Sequence, residues 1–238
     1  MGTLINAALI VAGGILGTLI GKKLDPQLQK TLMIANAVAV LFVGLGGAVS
    51  KMLAVTGSEG SYVLEAKGTM MLVISLAAGA VIGELLKIEQ RIRQFGEWLK
   101  ARTGNAEDRS FVSAFVTASL TVCVGAMAVI GSIQDGISGD PSILVTKGIL
   151  DFFIILIMAS SLGKGALFSF IPVAVFQGVI TLLSRSISPY VTTAAMDALS
   201  YVGSVLIFCV GINLIWPEKI KVANLLPSLV IAVLFTVF

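Results

Sequence analysis

Apolar runs long enough to cross a lipid bilayer recur eight times along this chain, and no other feature leaves so few folds open. They span Thr3–Ile20, Leu32–Val49, Thr69–Leu86, Phe111–Ile130, Ile143–Leu162, Ala166–Leu183, Val191–Ile215 and Val222–Phe238. A helix of about 18 residues rises about 27 Å, most of a hydrocarbon core of roughly 30 Å. Lipid offers no partners to backbone N–H and C=O groups, so such runs must close their hydrogen bonds as helices. Composition agrees. The chain is 57% hydrophobic and only 12% charged, against about 25% charge in soluble domains. The predicted fold is an all-α polytopic membrane protein of about eight transmembrane helices, forming one transmembrane domain over residues 1–238. The start "MGTLINAALIVAGG" lacks a basic leading region, and its apolar run is long enough to remain as a span, so no cleavable signal is expected.

Lys and Arg in the connecting loops set the expected orientation. With the N-terminus outside, the inner side holds Lys22, Lys23, Lys30, Lys87, Arg91, Arg93, Lys100, Arg102, Arg109, Lys164, Lys219 and Lys221. The outer side holds Lys51, Lys67, Lys147 and Arg185. Twelve of the sixteen cations then lie inside, and both termini lie outside. Residues 87–109 form the inner loop between spans three and four. Within it Ile88, Ile92, Phe95, Trp98 and Leu99 repeat at helical spacing, while Lys87, Arg91, Lys100 and Arg102 fall mostly elsewhere on the wheel. That pattern predicts an amphipathic helix lying on the cytoplasmic leaflet, with Trp98 at headgroup level.

Two internal matches stand out. "AGGILGTLIG" and "AAGAVIGELL" share Gly13/Gly79, Gly17/Gly83 and Leu19/Leu85, small residues of the kind that let helices approach closely in lipid. "LTVCVGAMAVIG" (Leu120–Gly131) aligns with "LIFCVGINLIWP" (Leu206–Pro217). These lie in spans four and seven, which cross in opposite directions, and suggest an inverted repeat of spans three to five and six to eight.

There is no histidine, which removes His-based zinc sites and Ser-His catalysis. Cys123 and Cys209 lie within apolar runs and are read as packing residues. No metal, cofactor, enzymatic activity or nucleic-acid partner is expected. The unusual stretch is "GSIQDGISGDPSILVTKGILD", Gly131–Asp151. Gly131, Gly136 and Gly139 predict a helix break in span four, and Pro141 stops a returning helix. Broken backbone at membrane depth survives only against protein or a water-filled cavity. Gln134, Asp135, Asp140, Lys147 and Asp151 then become candidate ligands for a solute or ion. Asp140 also suits a helix cap ahead of Pro141. Lys147 and Asp151, four apart, share a helical face and can form an ion pair. Asp197, Gln177 and Asn213 add polar groups within other spans, either as ligands or as interhelical glue. Asn36 and Asn6 are read as glue of the same kind. The expectation is that these groups meet at a wet hollow within the bilayer.

The segment "FVTASLTVCVGAMAVIGSIQDGISGDPSILVTKGILD" resembles the signature region of the YdfK/YqgA family of bacterial membrane proteins, domain of unknown function 554. The likeness extends to "GTLINAALIVAGGILG", "GAVIGELLKIEQRI" and "KIKVANLLPSL"; only the loop Lys51–Gly68 is longer than the family pattern suggests. The resemblance implies a multi-pass protein of the bacterial inner membrane, of transporter type, without naming a substrate. It carries the family's recurrent polar positions onto Gln134, Asp135, Asp140, Lys147 and Asp151.

The function these readings favour is a secondary transporter or permease for a small solute or ion, coupled to H+ or Na+. The alternatives are a passive ion channel, and a non-transporting scaffold or lipid-interacting regulator that uses the basic surface helix. The bilayer itself is the first expected partner. Analogy with small transporters that assemble through flat helix faces adds a homodimer.

Overall fold

The computed structural model describes residues 1–58 and 61–237. Its helices are α1 (Gly2–Gly21), α2 (Pro26–Met52), α3 (Thr69–Leu86), α4 (Ile88–Arg102), α5 (Phe111–Cys123), α6 (Ala126–Ser138), α7 (Ser142–Leu162), α8 (Phe170–Ile187), α9 (Thr193–Ile215) and α10 (Pro227–Val237). Two strands, β1 (Leu53–Ser58) and β2 (Ser61–Ala66), pair antiparallel between α2 and α3, from Leu53 opposite Ala66 to Ser58 opposite Ser61. This hairpin occupies the long loop that the all-α expectation left without structure. Val55, Thr56, Tyr62 and Val63 are the β-branched and aromatic residues of the pair, types that fit an extended backbone.

Among the described residues six helical segments are long and apolar enough to cross a bilayer, seven if α5 and α6, which meet at a 63° bend, are counted together as one span. The eighth expected run is a shorter apolar helix, Val222–Thr236. Large apolar side chains such as Leu4, Phe42, Leu85 and Leu182 point outward from the bundle, as they must where the surrounding solvent is lipid. The starts of α1, α7 and α9 lie at the hairpin end of the bundle. The ends of α1, α3, α7 and α9 lie at the opposite end, beside α4.

Small residues decide which helices pair. Gly13, Gly17 and Gly21 on α1 face the backbone of Phe152, Leu156 and Ser160 on α7, and a Cβ at any of them would overlap those carbonyl oxygens. Both sets repeat every four residues, so the two helices run side by side for most of their length. Gly79 and Gly83 on α3 meet Ser228 and Asn224 in the same way. α2 packs along α9, and α6 along α8. In the interior Ile10, Val40, Val122, Ile155, Met158, Val173 and Leu214 form one apolar cluster. Phe111, Phe115, Leu206, Val210 and Val222 form a second, near α4.

The break in span four is not where the sequence suggests. Gly131 and Gly136 are helical, within an unbroken α6. They serve as contact points, Gly131 against Ile143 and Leu144, and Gly136 against Thr181 and Ser184. Glycine in a helix interior costs only about 1 kcal/mol, so the helix continues through both, and the missing side chains allow the close packing. Only Gly139 leaves the helix, in a left-handed C-cap with φ 72° and ψ 12°. The break falls at Val124–Gly125, between α5 and α6. Gly125 has φ 153° and ψ 149°, a backbone region essentially closed to other residues. The matched segment on α9 behaves differently: Cys209-Val210-Gly211 lies inside a continuous helix.

Candidate functional site

Ending α5 at Cys123 strips the Val122 carbonyl of the helical N–H four residues on. The Lys147 ammonium replaces it: Nζ donates to Val122 O at 2.7 Å and to Asp151 Oδ2 at 2.5 Å. Both side chains are buried, with 8% and 4% of their surface exposed. Lys147 and Asp151 therefore form the ion pair their spacing predicts, and α7 holds it against the break in α5–α6. Cys123 lies beside the pair. Asn6, from α1, approaches Asp151, yet neither polar atom of its side chain reaches hydrogen-bond geometry. For a cost-free burial every such atom should be paired.

Two further orphans lie close by. Thr3 on α1 and Thr181 on α8 bring their hydroxyls to 3.4 Å, and Gly136 on α6 packs on Thr181. One turn deeper on each of these three helices stand Asn6, Gln177 and Ser132. All three are completely buried and unpartnered. An unpaired buried polar group costs about 1–3 kcal/mol, so three together mark a place where the fold gives up stability. Gln177 was a sequence candidate. From the sequence alone Asn6 reads only as glue, and Ser132 is not among the candidates. Nothing in their residue types distinguishes them from packing residues, since their isolation is a property of three helices meeting.

The remaining candidates do not join this centre. Asp135 is buried near the hairpin end, where its Oδ2 accepts from Gly2 N–H at 2.9 Å and lies 3.0 Å from the Met1 amino nitrogen. Gln134 donates to Asp140 Oδ2 at 2.5 Å. Asp140 also accepts from the Ser142 N–H at 3.0 Å and from the Ser142 hydroxyl, the capping role that an acid before Pro141 invites. These bonds, those from Ser142 foremost, hold the Asp140 carboxyl below the usual carboxylate range. Asp197 bonds Lys51 at 2.6 Å on an exposed face. Asn213 sits at the opposite end of the bundle, where its amide exchanges hydrogen bonds of 2.7 and 2.9 Å with the backbone of Ile220 and closes the turn after α9. Asp197 and Asn213 are thus corrections to the expectation of one convergent site: each is satisfied locally, away from Asp151.

The stretch expected to form an amphipathic helix is helical, as α4. Lys87, with φ 51°, turns the chain out of α3 and into it. Gly96 and Leu99 are buried, Gly96 against Val112 and Phe115 of α5. Arg91 and Trp98 are exposed, and Lys100 is half-buried. Phe95 stacks on Trp98, and the Arg102 guanidinium lies 5.9 Å from the Trp98 ring centre. At this end Glu84 pairs with Lys221 at 2.7 Å and accepts from Asn224 at 2.6 Å.

Three cavities accompany these groups. An apolar cleft of about 830 Å3 runs from Arg91 and Phe95 past Cys123 and Val124 to Val191 and Met196. A polar pocket of about 280 Å3 surrounds Glu84, Arg93 and Lys221, and a smaller one of about 70 Å3 includes Asn213. None of these three is lined by Lys147 or Asp151. The broken helix stands between the charged pair and the apolar cleft.

The profile of the family DUF554, described as a protein of unknown function, matches residues 1–237. The chain is 26% identical to an uncharacterized membrane protein, YdfK, of Bacillus subtilis (strain 168), over 97% of this chain and 93% of that one. It is likewise 26% identical to an uncharacterized protein, YqgA, of Escherichia coli (strain K12), over 98% of this chain and 94% of the relative. No solved structure matches the chain.

Proposed function

We propose that this chain, which belongs to the DUF554 family of proteins of unknown function, is a secondary transporter or permease that moves a small solute or ion across a bacterial inner membrane. The observation that carries the reading is the buried Lys147–Asp151 pair seated on the Val122 carbonyl at a broken span. Ionisable groups within a membrane are costly and mark ion or solute pathways. Transporters use unwound helix carbonyls at such breaks to hold coupling ions and substrates. The orphaned Asn6, Ser132 and Gln177 supply unused donors and acceptors between the hairpin end and the pair.

On this reading the basic loops put the α4 end in the cytoplasm and the hairpin end, with both termini, outside. The short α10 then makes the eighth crossing. Gln134, Asp135 and Asp140 stand toward the outer mouth, Asp151 binds the coupling ion or a cationic group, and Lys147 balances its charge. The coupling ion is H+ or Na+. An inverted relation of spans three to five with six to eight belongs to the same reading and rests on the match of Leu120–Gly131 with Leu206–Pro217. No residue is assigned a catalytic role.

Driven uptake into proteoliposomes tests the proposal. Asp151→Asn, matched to the wild type in amount and fold, is expected to abolish it. Unchanged uptake of every solute that the wild type accumulates removes Asp151 from the mechanism.

A second reading, a lipid-interacting regulator, has an observation of its own. The apolar cleft opens beside Arg91, Phe95 and the exposed Trp98, a surface suited to an anionic lipid. Tightly co-purified lipid together with no driven flux would favour it.

A further inference from the structure

We infer that the break in the fourth span builds a monovalent-cation site and that the chain fills it with its own lysine: the Lys147 ammonium is a tethered cation. The ligands are those of a small hard cation rather than of a simple ion pair. One is the Asp151 carboxylate, at 2.5 Å from Nζ, and another is a backbone carbonyl, Val122 O, at 2.7 Å. That carbonyl is free only because Gly125 takes a backbone that other residues avoid. A salt bridge alone would need no such break. Carboxylate, carbonyl and amide oxygens are the donors that hard cations select.

A third polar group adjoins the carboxylate. Asn6, fully buried on α1, turns its side chain toward Asp151, in a contact outside ordinary hydrogen-bond geometry; a Cβ added at Gly148 would lie 3.4 Å from its Oδ1. Among the described residues, Asp151 on α7 pairs with the ammonium, and the Cys123 thiol on α5 lies close enough to feel both charges. α1 contributes the uncharged Asn6. The site therefore carries one negative charge and is neutral with one monovalent cation in it. That cation is covalently attached, so sodium is excluded from this site. For the transporter reading, on which this consequence rests, a proton is then the coupling ion that Asp151 can take up.

Thermal unfolding of the purified full chain tests the inference without a known substrate. The wild type is melted in NaCl, KCl and choline chloride at one ionic strength, and the three midpoints are expected to coincide. Lys147→Ala is expected to melt lower in choline and to recover, saturably, with methylammonium or Na+. Adding Asp151→Asn should remove that recovery. A saturable rise of the wild-type midpoint with Na+ overturns the inference, and so does a folded Lys147→Ala protein indifferent to every cation. If the alanine variant folds only when purified in methylammonium, the site is equally supported. If it cannot be recovered at all, the wild-type comparison decides alone. A sodium-responsive wild type whose uptake still needs Asp151 would end the tethered-cation account and leave the transporter standing.

Discussion

Lys147 and Asp151 show what a single residue pair can and cannot reveal before coordinates. Their four-residue spacing put them on one face of a helix, and they meet there. What spacing could not give is the third member, Val122 O, which comes from a different helix. Breaking a buried pair by removing one partner costs about 3–5 kcal/mol, whereas replacing both by apolar residues is often neutral or stabilising. Lys147→Met and Asp151→Leu should therefore each lower the thermal midpoint sharply, while the double variant regains most of the loss. Additive losses in that cycle would mean the two charges do not act on each other. Asp140 was legible as a cap because an acid before proline has few other uses at a helix start. Its carboxyl is held low by Ser142, so its contribution is present above the unfolded carboxylate pKa of about 3.9 and fades as the pH falls through the lower folded value. The stability difference between wild type and Asp140→Asn should be flat from about pH 5 to pH 8 and shrink below about pH 4, as melting across that range would show. Asp197 was misplaced because α2 continues to Met52, past its apolar run, and so carries Lys51 to meet it.

At the scale of elements, hydropathy located the long apolar helices, because lipid leaves a backbone few alternatives. A helix over Ile88–Arg102 was legible from apolar residues at helical spacing; of those residues Leu99 is buried, while Phe95 and Trp98 are exposed. Local irregularity was harder to read. Three glycines near Gly131 drew the expected break six residues too late. Two of them are helix contact points instead, and the one glycine that matters, Gly125, sits in a run of small and apolar residues with nothing to single it out. Its φ of 153° makes a direct prediction. Gly125→Ala has open space for its methyl group, so any penalty is conformational, about 1–3 kcal/mol. The variant should melt lower than wild type and, on the transport reading, lose flux as the Val122 carbonyl shifts away from Lys147. A substitution with no effect on either would show that the bend does not depend on glycine.

Across the whole molecule, the polar groups that the sequence crowds into one stretch separate by depth. Gln134 and Asp140 stay at the hairpin end, Asp135 lies just inside, and Lys147 with Asp151 reaches the break. Beside that descent run the unpartnered Asn6, Ser132 and Gln177, each from a different helix, so no stretch of sequence could have joined them. The central claim is that this buried polar interior opens to water during function. It can be measured as the reactivity of a single thiol at Gln177→Cys, in a chain with Cys123→Ala and Cys209→Ala, toward a membrane-impermeant maleimide. Ser138→Cys, exposed at the hairpin end, sets the upper reference, and Leu182→Cys, on the outward apolar face, sets the lower. The account predicts that Gln177→Cys is labelled, more slowly than Ser138→Cys but well above Leu182→Cys. Labelling no faster than at Leu182→Cys, from either side of the membrane, would contradict it.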